Sequence, residues 1–482
     1  MTTNIETNTQ NNLNFIRKNR FYPNNWKEIL ALTGHIFLQL FFAAIIAQIN
    51  VLLFSWYDER LYLASINRAT LLFTTIQFIP SLIASGTLVV GGNLYGQGRQ
   101  KELSKVITTG VVVNVIISLF VILLMQIFAN SLLVFLGAGN ESILGSTHQY
   151  DTNLQFTSLY FRIIVLNLFI LSIAQVYIAG LQILKKQRHV AIGAIISNIV
   201  DVFVVCMVLY ILKIDPVLAA FAMPIAGLVQ MVYMIVINFK YIDYRGATFK
   251  TLINSKFAFE TIKIGLPITL EIGLWNVCNF AMNGAIGHLS EDQQTIDNLL
   301  NLHRSINAII QYSTTFLQAV ATVTSILVAK KIGEGDLNGA FRAGVDCWKV
   351  AIYAQLILSL FIFSLIYPLL LAYNTPKNLI VNYGFYLYAI IFIKCLFDTV
   401  NMTLLRALWS VGDLWVPLMI SIFTMIIGMV ALPWIITLTF IGTPGVGLIL
   451  IYLVISLDPI SRSIIYAIRW FKRKWFKYAK TI

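Results

Sequence analysis

Long apolar stretches alternate with short polar ones along this chain, and each apolar stretch runs to about 18 to 25 residues, enough to cross a hydrocarbon core of roughly 30 Å. The pattern predicts about twelve membrane helices. In the first half they cover approximately 29–54, 70–95, 106–128, 156–184, 190–212 and 217–239. The second half reads 257–289, 300–332, 343–372, 379–408, 415–440 and 446–468. The expected fold class is all-α, a polytopic membrane protein.

The polar gaps give the expected orientation. An even number of crossings places both ends on one side, and basic residues gather there: Arg17, Lys18, Arg20 and Lys27 before the first run, Arg469, Lys472, Arg473, Lys474, Lys477 and Lys480 after the last. Alternate gaps agree, with Arg99, Lys101 and Lys105, then Lys185, Lys186 and Arg188, then Lys240, Arg245, Lys250 and Lys256. The opposite gaps, 137–155 and Ser290-Glu291-Asp292 with Asp297, are poor in base. Both termini are therefore expected in the cytoplasm, with a bacterial inner membrane as the setting. The expected organisation is a cytoplasmic tail over 1–28, an N-lobe over 29–239, a basic linker over 240–256, a C-lobe over 257–468 and a basic-aromatic tail over 469–482.

Composition supports the membrane reading, since 58% of the 482 residues are hydrophobic and 11% charged, where soluble domains carry about 25% charged residues. The net charge of +13 resides between and after the apolar runs, so it points to cytoplasmic loops and not to nucleic acid. Cys206, Cys278, Cys347 and Cys395 lie far apart inside apolar runs and suggest neither a metal site nor a disulfide framework. No cofactor is expected. The polar start lacks the order of a cleaved signal. The tripeptide Asn140-Glu141-Ser142 fits a glycosylation acceptor, a common chance match. The tail from Arg469 to Tyr478 interleaves bases with aromatics, which suits a segment lying on anionic lipid.

Two segments six crossings apart share one spacing of small and polar residues at a membrane exit. Ser85 to Arg99 closes the second run through Gly96-Gln97-Gly98, and Thr322 to Asp336 closes the eighth through Gly333-Glu334-Gly335. Small residues let helices approach closely in lipid, and paired glycines permit a sharp exit. A repeat after six crossings is parallel, so the halves are expected to be related by an axis along the membrane normal.

On these doubled exits, on Gly265-Leu266-Pro267 opening the seventh run, and on Phe397-Asp398-Thr399-Val400 leading to Leu405-Arg406-Ala407-Leu408 and Gly412-Asp413, the chain resembles the multidrug and toxic compound extrusion (MATE) family, within the wider group of lipid and oligosaccharide flippases. The resemblance covers nearly the whole chain. It implies two pseudo-symmetric six-helix bundles around a cleft, working by alternating access. It also implies export of amphipathic, often cationic compounds in exchange for sodium ions or protons.

Charged and amide groups inside the runs are the candidate site residues. Glu271 falls in the seventh run, four residues after Pro267, and an unpaired carboxylate in hydrocarbon costs roughly 2.5 to 3.5 kcal/mol on insertion scales. Trp275 and Asn279 follow at four-residue steps, broadly on its side. Asp398 matches the family's helix-ten acid, with Asn401 one turn onward and Lys394 one turn before. At i,i+4 Lys394 and Asp398 can meet, either as a permanent pair or as one opened by a proton or a cationic cargo. A coupling sodium ion at Glu271 and Asp398 is a further expectation. In the first half Asn50 stands where many bacterial members carry an acid, Gln39, Gln48 and Asn50 of that run are able to hydrogen-bond a ligand or complete an ion shell, and Asp201, with Asn198 one turn earlier, either replaces that acid or is a buried hydrogen-bonded group. Arg406 is expected to snorkel or to cap carbonyls.

The leading function is thus a cation-coupled exporter. A flippase for a lipid-linked envelope precursor is the alternative; it would need cations for diphosphate, and Lys394 and Arg162 are the ones noted within the runs. An enzyme, such as a membrane-embedded transferase, would need a clustered site, and His35, His148, His189, His288 and His303 are scattered. Partners are expected to be small amphipathic compounds and membrane lipids, and no residue pattern demands more than a monomer.

Overall fold

The computed structural model describes residues 22–57, 63–135, 152–244, 253–373, 375–440 and 442–479. Most of the expected N-terminal tail, residues 245–252 of the linker, the Asn140-Glu141-Ser142 tripeptide and the side chain of Gln48 lie outside them. Every regular element among the described residues is helical. In the first half these are α1 (Trp26–Tyr57), α2 (Leu63–Ile76), α3 (Ser81–Gly96), α4 (Leu103–Phe135), α5 (Asn153–Ile164), α6 (Asn167–Ile183), α7 (Gln187–Cys206) and α8 (Ala222–Tyr241). The second half contains α9 (Ser255–Gly287), α10 (Gln293–Gly333), α11 (Leu337–Ser364), α12 (Ile366–Ala372), α13 (Phe385–Ser410), α14 (Trp415–Met425), α15 (Leu432–Thr439) and α16 (Pro444–Phe471). A π-helical segment, Ile426–Ala431, joins α14 to α15.

Eleven helical stretches among the described residues are long and apolar enough to cross a membrane. The twelfth expected crossing is α9, a 33-residue helix of ample length. Its Glu260, Lys263, Glu271, Asn276 and Asn279 make it less apolar than the rest.

Contacts divide the chain into two compact units, one of Leu38–Thr269 and one of Met1–Phe37 with Leu270–Ile482. Helices α1 and α9 contribute to both. The core of the first unit gathers Phe73, Phe156, Phe161, Leu168 and Leu209. That of the second gathers Leu302, Ile306, Leu387, Tyr388, Leu448 and Ile451. Where a crossing is broken, in the first unit between α2 and α3, the side chain of Asn114 donates to the Pro80 carbonyl at 2.9 Å and to the Ser172 carbonyl at 2.8 Å. In hydrocarbon such freed carbonyls need a donor from protein.

Glycine does two kinds of work. A Cβ on Gly86 of α3 would fall on the Thr261 carbonyl of α9, and a Cβ on Gly265 would fall on the Leu82 carbonyl of α3, so the two backbones touch where both positions lack a side chain. The second kind is the exit turn. After α3 the amide of Arg99 donates to Leu94 O at 3.0 Å with Gly98 at φ +76°, and after α10 the amide of Asp336 donates to Lys331 O at 3.0 Å with Gly335 at φ +75°. This is one cap, a C-terminal loop closed by a left-handed residue, repeated in the two halves. The same cap closes α13 at Gly412 (φ +87°) and α6 at Lys185 (φ 58°), the latter without a glycine to announce it.

The C-terminal tail differs from the expected lipid-lying segment. Trp470 and Trp475 stack at 4.6 Å between ring centroids, and both are fully buried. Arg473 lies over the rings of Phe341 and Phe476, and Arg469 pairs with Asp413 in the turn after α13. The aromatics fold back onto the protein because burying two indoles removes more apolar surface from water than resting them at an interface. Lys472, Lys474 and Lys477 remain exposed.

Candidate functional site

In the second unit α16 organises a buried polar network. Its sequence carries Asp458 and Arg462 four residues apart, so both project from one face, and Arg462 Nη2 donates to Asp458 Oδ2 at 2.6 Å. From the same guanidinium Nη1 donates to Glu271 Oε1 of α9 at 3.2 Å. Ser421 of α14 donates to that same Oε1 at 2.8 Å, and Tyr466 Oη lies 2.8 Å from Ser421 Oγ and 3.1 Å from the Pro417 carbonyl. The network is almost dry: Asp458 is 3% exposed, Glu271 4% and Arg462 5%. It is also incompletely satisfied, since Glu271 Oε2, Asp458 Oδ1 and Arg462 Nε have no hydrogen-bond partner among the described residues. A Cβ on Gly428, in the π segment, would touch Asp458 Cβ at 3.1 Å, so the absence of a side chain there lets α16 pack close to the wider turn.

On α13 Lys394 Nζ stands 3.3 Å from Asp398 Oδ2, and Asn401 Nδ2 donates to Asp398 Oδ1 at 3.4 Å. Ser463 of α16 donates to the Phe397 carbonyl at 2.6 Å, tying this pair's helix to the helix of Asp458 and Arg462. Arg406 is half-buried, with its guanidinium 5.0 Å from the centre of the Trp409 ring. Trp275 is 46% exposed and Asn279 is half-buried, so neither shares the hydrogen bonds of Glu271.

The first unit holds a simpler arrangement. Asn50 of α1 donates through Nδ2 to Asp201 Oδ2 of α7 at 2.5 Å, joining the two residues that the sequence singled out separately. Asp201 is 7% exposed, and its Oδ1, the Asn50 Oδ1 and the Asn198 Nδ2 lack partners among the described residues. Gln39 is half-buried with its Oε1 also unpartnered.

Sequence reasoning missed Asp458, Arg462, Ser421 and Tyr466. For the first two a signal existed: an acid and a base at i,i+4 inside an apolar run. Among the described residues no group of three or more His, Cys, Asp or Glu is placed to hold a metal ion. The chemistry available is that of buried carboxylates paired with basic side chains or with an amide.

Solved structures match this architecture closely at low sequence identity. A multidrug resistance MATE family transporter of the MOP superfamily, in an outward-facing conformation, aligns with a TM-score of 0.78 and 14% identity over 93% of this chain and 96% of its own. A MOP superfamily transporter from Pyrococcus furiosus, described as having a binding pocket of reverse polarity, gives 0.81 and 15% over 94% and 96%. A MATE protein in its straight conformation gives 0.80 and 15% over 93% and 96%. Comparison with curated protein sequences finds no match. The MatE family model matches residues 36–208 and 267–434, one segment starting in α1 and the other at Pro267 in α9. With more than half of its length covered by that model, this polytopic membrane protein belongs to the MatE family of transporters.

Proposed function

We propose that this transporter is a cation-coupled antiporter, driven by sodium ions or protons, that exports amphipathic and often cationic compounds by alternating access. It acts as a monomer in a bacterial inner membrane, with both termini in the cytoplasm. The observation that carries this reading is the incomplete bonding of its intramembrane carboxylates: Glu271, Asp458 and Asp201 each keep one oxygen without a partner among the described residues. Carboxylates in hydrocarbon are costly to retain and mark ion or proton pathways. If coupling ion and cargo compete for them, inward movement of the ion releases the cargo, with about 2.3 kcal/mol available per charge for each 100 mV. A sodium ion would draw on the open oxygen of Glu271 and, with Lys394 swung away, on Asp398. The family is one of transporters, and no enzymatic activity is proposed.

A flippase for a lipid-linked precursor is the second reading. Arg462, Lys394 and Arg406 favour it, as three cations within spans of one unit able to meet a diphosphate. Two of the three are already paired with carboxylates, which favours cationic cargo.

The test is ethidium movement in energised vesicles under an imposed sodium or proton gradient, for the wild type, Glu271→Gln and Asp398→Asn. Transport driven by one gradient and abolished by both substitutions is the expected result. No dye movement under either gradient by correctly inserted protein overturns it and turns attention to lipid-linked precursors.

A further inference from the structure

Arg462 is shared unequally between two carboxylates. Its arm to Asp458 is 2.6 Å and stays within one helix, whereas its arm to Glu271 is 3.2 Å and reaches from α16 to α9. An ion triad built only for stability in a dry interior has its donors and acceptors filled, because a buried polar atom without a partner is destabilising. Here three atoms are left over, Arg462 Nε, Asp458 Oδ1 and Glu271 Oε2. Two of them are complementary and belong to residues already in contact. A guanidinium that slid wholly onto Asp458 would fill Nε and Oδ1 together in the two-pronged geometry that arginine and carboxylate favour. Glu271 would then be held by Ser421 alone.

We propose that Arg462 is a resident stand-in for the cationic cargo, occupying Glu271 when the site is empty and withdrawing onto Asp458 when a cation arrives. Asp458 is the receiving group that makes the withdrawal possible; both are positioning residues that act through Glu271. This rests on the reading of the protein as an exporter of cations. The hydrogen-bonded set counts two negative charges and one positive, so a single positive charge completes it. Two other charged groups bear on it from α13. Arg406 rests on the ring of Trp409, and Asp398 is matched by Lys394.

The test uses the full-length protein in detergent and two readouts. The first is equilibrium binding of tetraphenylphosphonium. Asp458→Asn, which leaves Glu271 as the one carboxylate hydrogen-bonded to Arg462, is expected to weaken binding about tenfold or more. Arg462→Gln is expected to tighten it, and Arg462→Gln combined with Asp458→Asn to return it at least to the wild-type value, because the competitor has gone with its receiver. A purely structural triad predicts no such rescue. Unchanged binding in Asp458→Asn, or a folded double variant that binds no better than Asp458→Asn, overturns the proposal.

The second readout needs no cargo: the rate at which a hydrophobic carbodiimide labels Glu271, mapped by mass spectrometry. Arg462→Gln should label several-fold faster than wild type, Arg462→Lys close to wild type, and Asp458→Asn more slowly. If wild-type protein binds no tetraphenylphosphonium, the exporter reading fails, and labelling alone decides whether Arg462 occupies Glu271. Equal rates across the series overturn that as well.

Discussion

Each unit buries a carboxylate on a membrane helix, and the two units compensate it in opposite ways. Asp201 in the first has a neutral partner, the amide of Asn50, at 2.5 Å. Glu271 in the second has a guanidinium, which it shares with Asp458, and Asp398 of the same unit has the ammonium of Lys394. An amide offers one hydrogen bond and no charge, so whatever balances Asp201 comes from outside its hydrogen-bonded set. A guanidinium brings the balancing charge with it. Among the described residues the buried carboxylate of one half is thus hydrogen-bonded to no cation and that of the other is, and the two should respond differently to the same kind of substitution.

The sharpest way to break this comparison is Arg462→Ala. It strands two carboxylates that are 3% and 4% exposed, and removing one partner of a buried charge set costs about 3 to 5 kcal/mol. The expected outcome is a large fall in unfolding temperature, followed by tryptophan fluorescence or by loss of the monodisperse peak on size exclusion. Glu271→Gln should fall far less, since glutamine still accepts from Ser421 and Arg462 keeps Asp458. Equal losses for the two would mean that the arm from Arg462 to Glu271 carries the whole stabilisation and that the arm to Asp458 adds none.

The corresponding test in the first unit is milder in one direction and harsher in the other. Asp201→Asn keeps the size of the side chain and loses only charge, so stability should stay within about 1 kcal/mol of wild type while gradient-driven dye transport falls. Asn50→Asp sets two carboxylates at hydrogen-bond distance in a dry site and should cost about 2 kcal/mol or more. If Asn50→Asp proves neutral even at a pH high enough to keep both acids from sharing a proton, a basic group reaches Asp201 and the contrast between the units fails.

Much of this architecture is legible in the sequence because the rule behind it is coarse: about twenty apolar residues cross a bilayer wherever they occur. The crossing hardest to see by apolarity is α9, whose Glu260, Lys263 and Glu271 interrupt it, and these are the residues that make it worth noticing. The exit turns at Gly98 and Gly335 were readable because glycine announces a left-handed residue, whereas Lys185 adopts the same conformation with no local signal. The Asp458 and Arg462 pair was readable too, from its four-residue spacing. Its junction with Glu271 was not, since 191 positions separate Arg462 from Glu271 and nothing local in either segment specifies the other. The tail misled for a related reason: aromatics among bases fit a membrane surface as well as a buried stack, and only the presence of Phe341 and Gly344 beneath Trp470 decides it.

The smallest expected effect on stability belongs to Lys394→Gln, and it sharpens the comparison most finely. The pair it removes is partly open, with side chains 30% and 14% exposed, so its loss should cost no more than about 1 kcal/mol. The consequence for transport should be larger than that for folding. With the ammonium gone, Asp398 keeps the long contact from Asn401 alone among the described residues, and a cationic dye meets no competitor there. The apparent KM for ethidium should drop several-fold while the unfolding temperature barely moves. A drop in unfolding temperature with an unchanged KM would instead make Lys394 a structural partner. In that case the competition between cargo and a built-in cation in this unit would rest on Arg462 and not on Lys394.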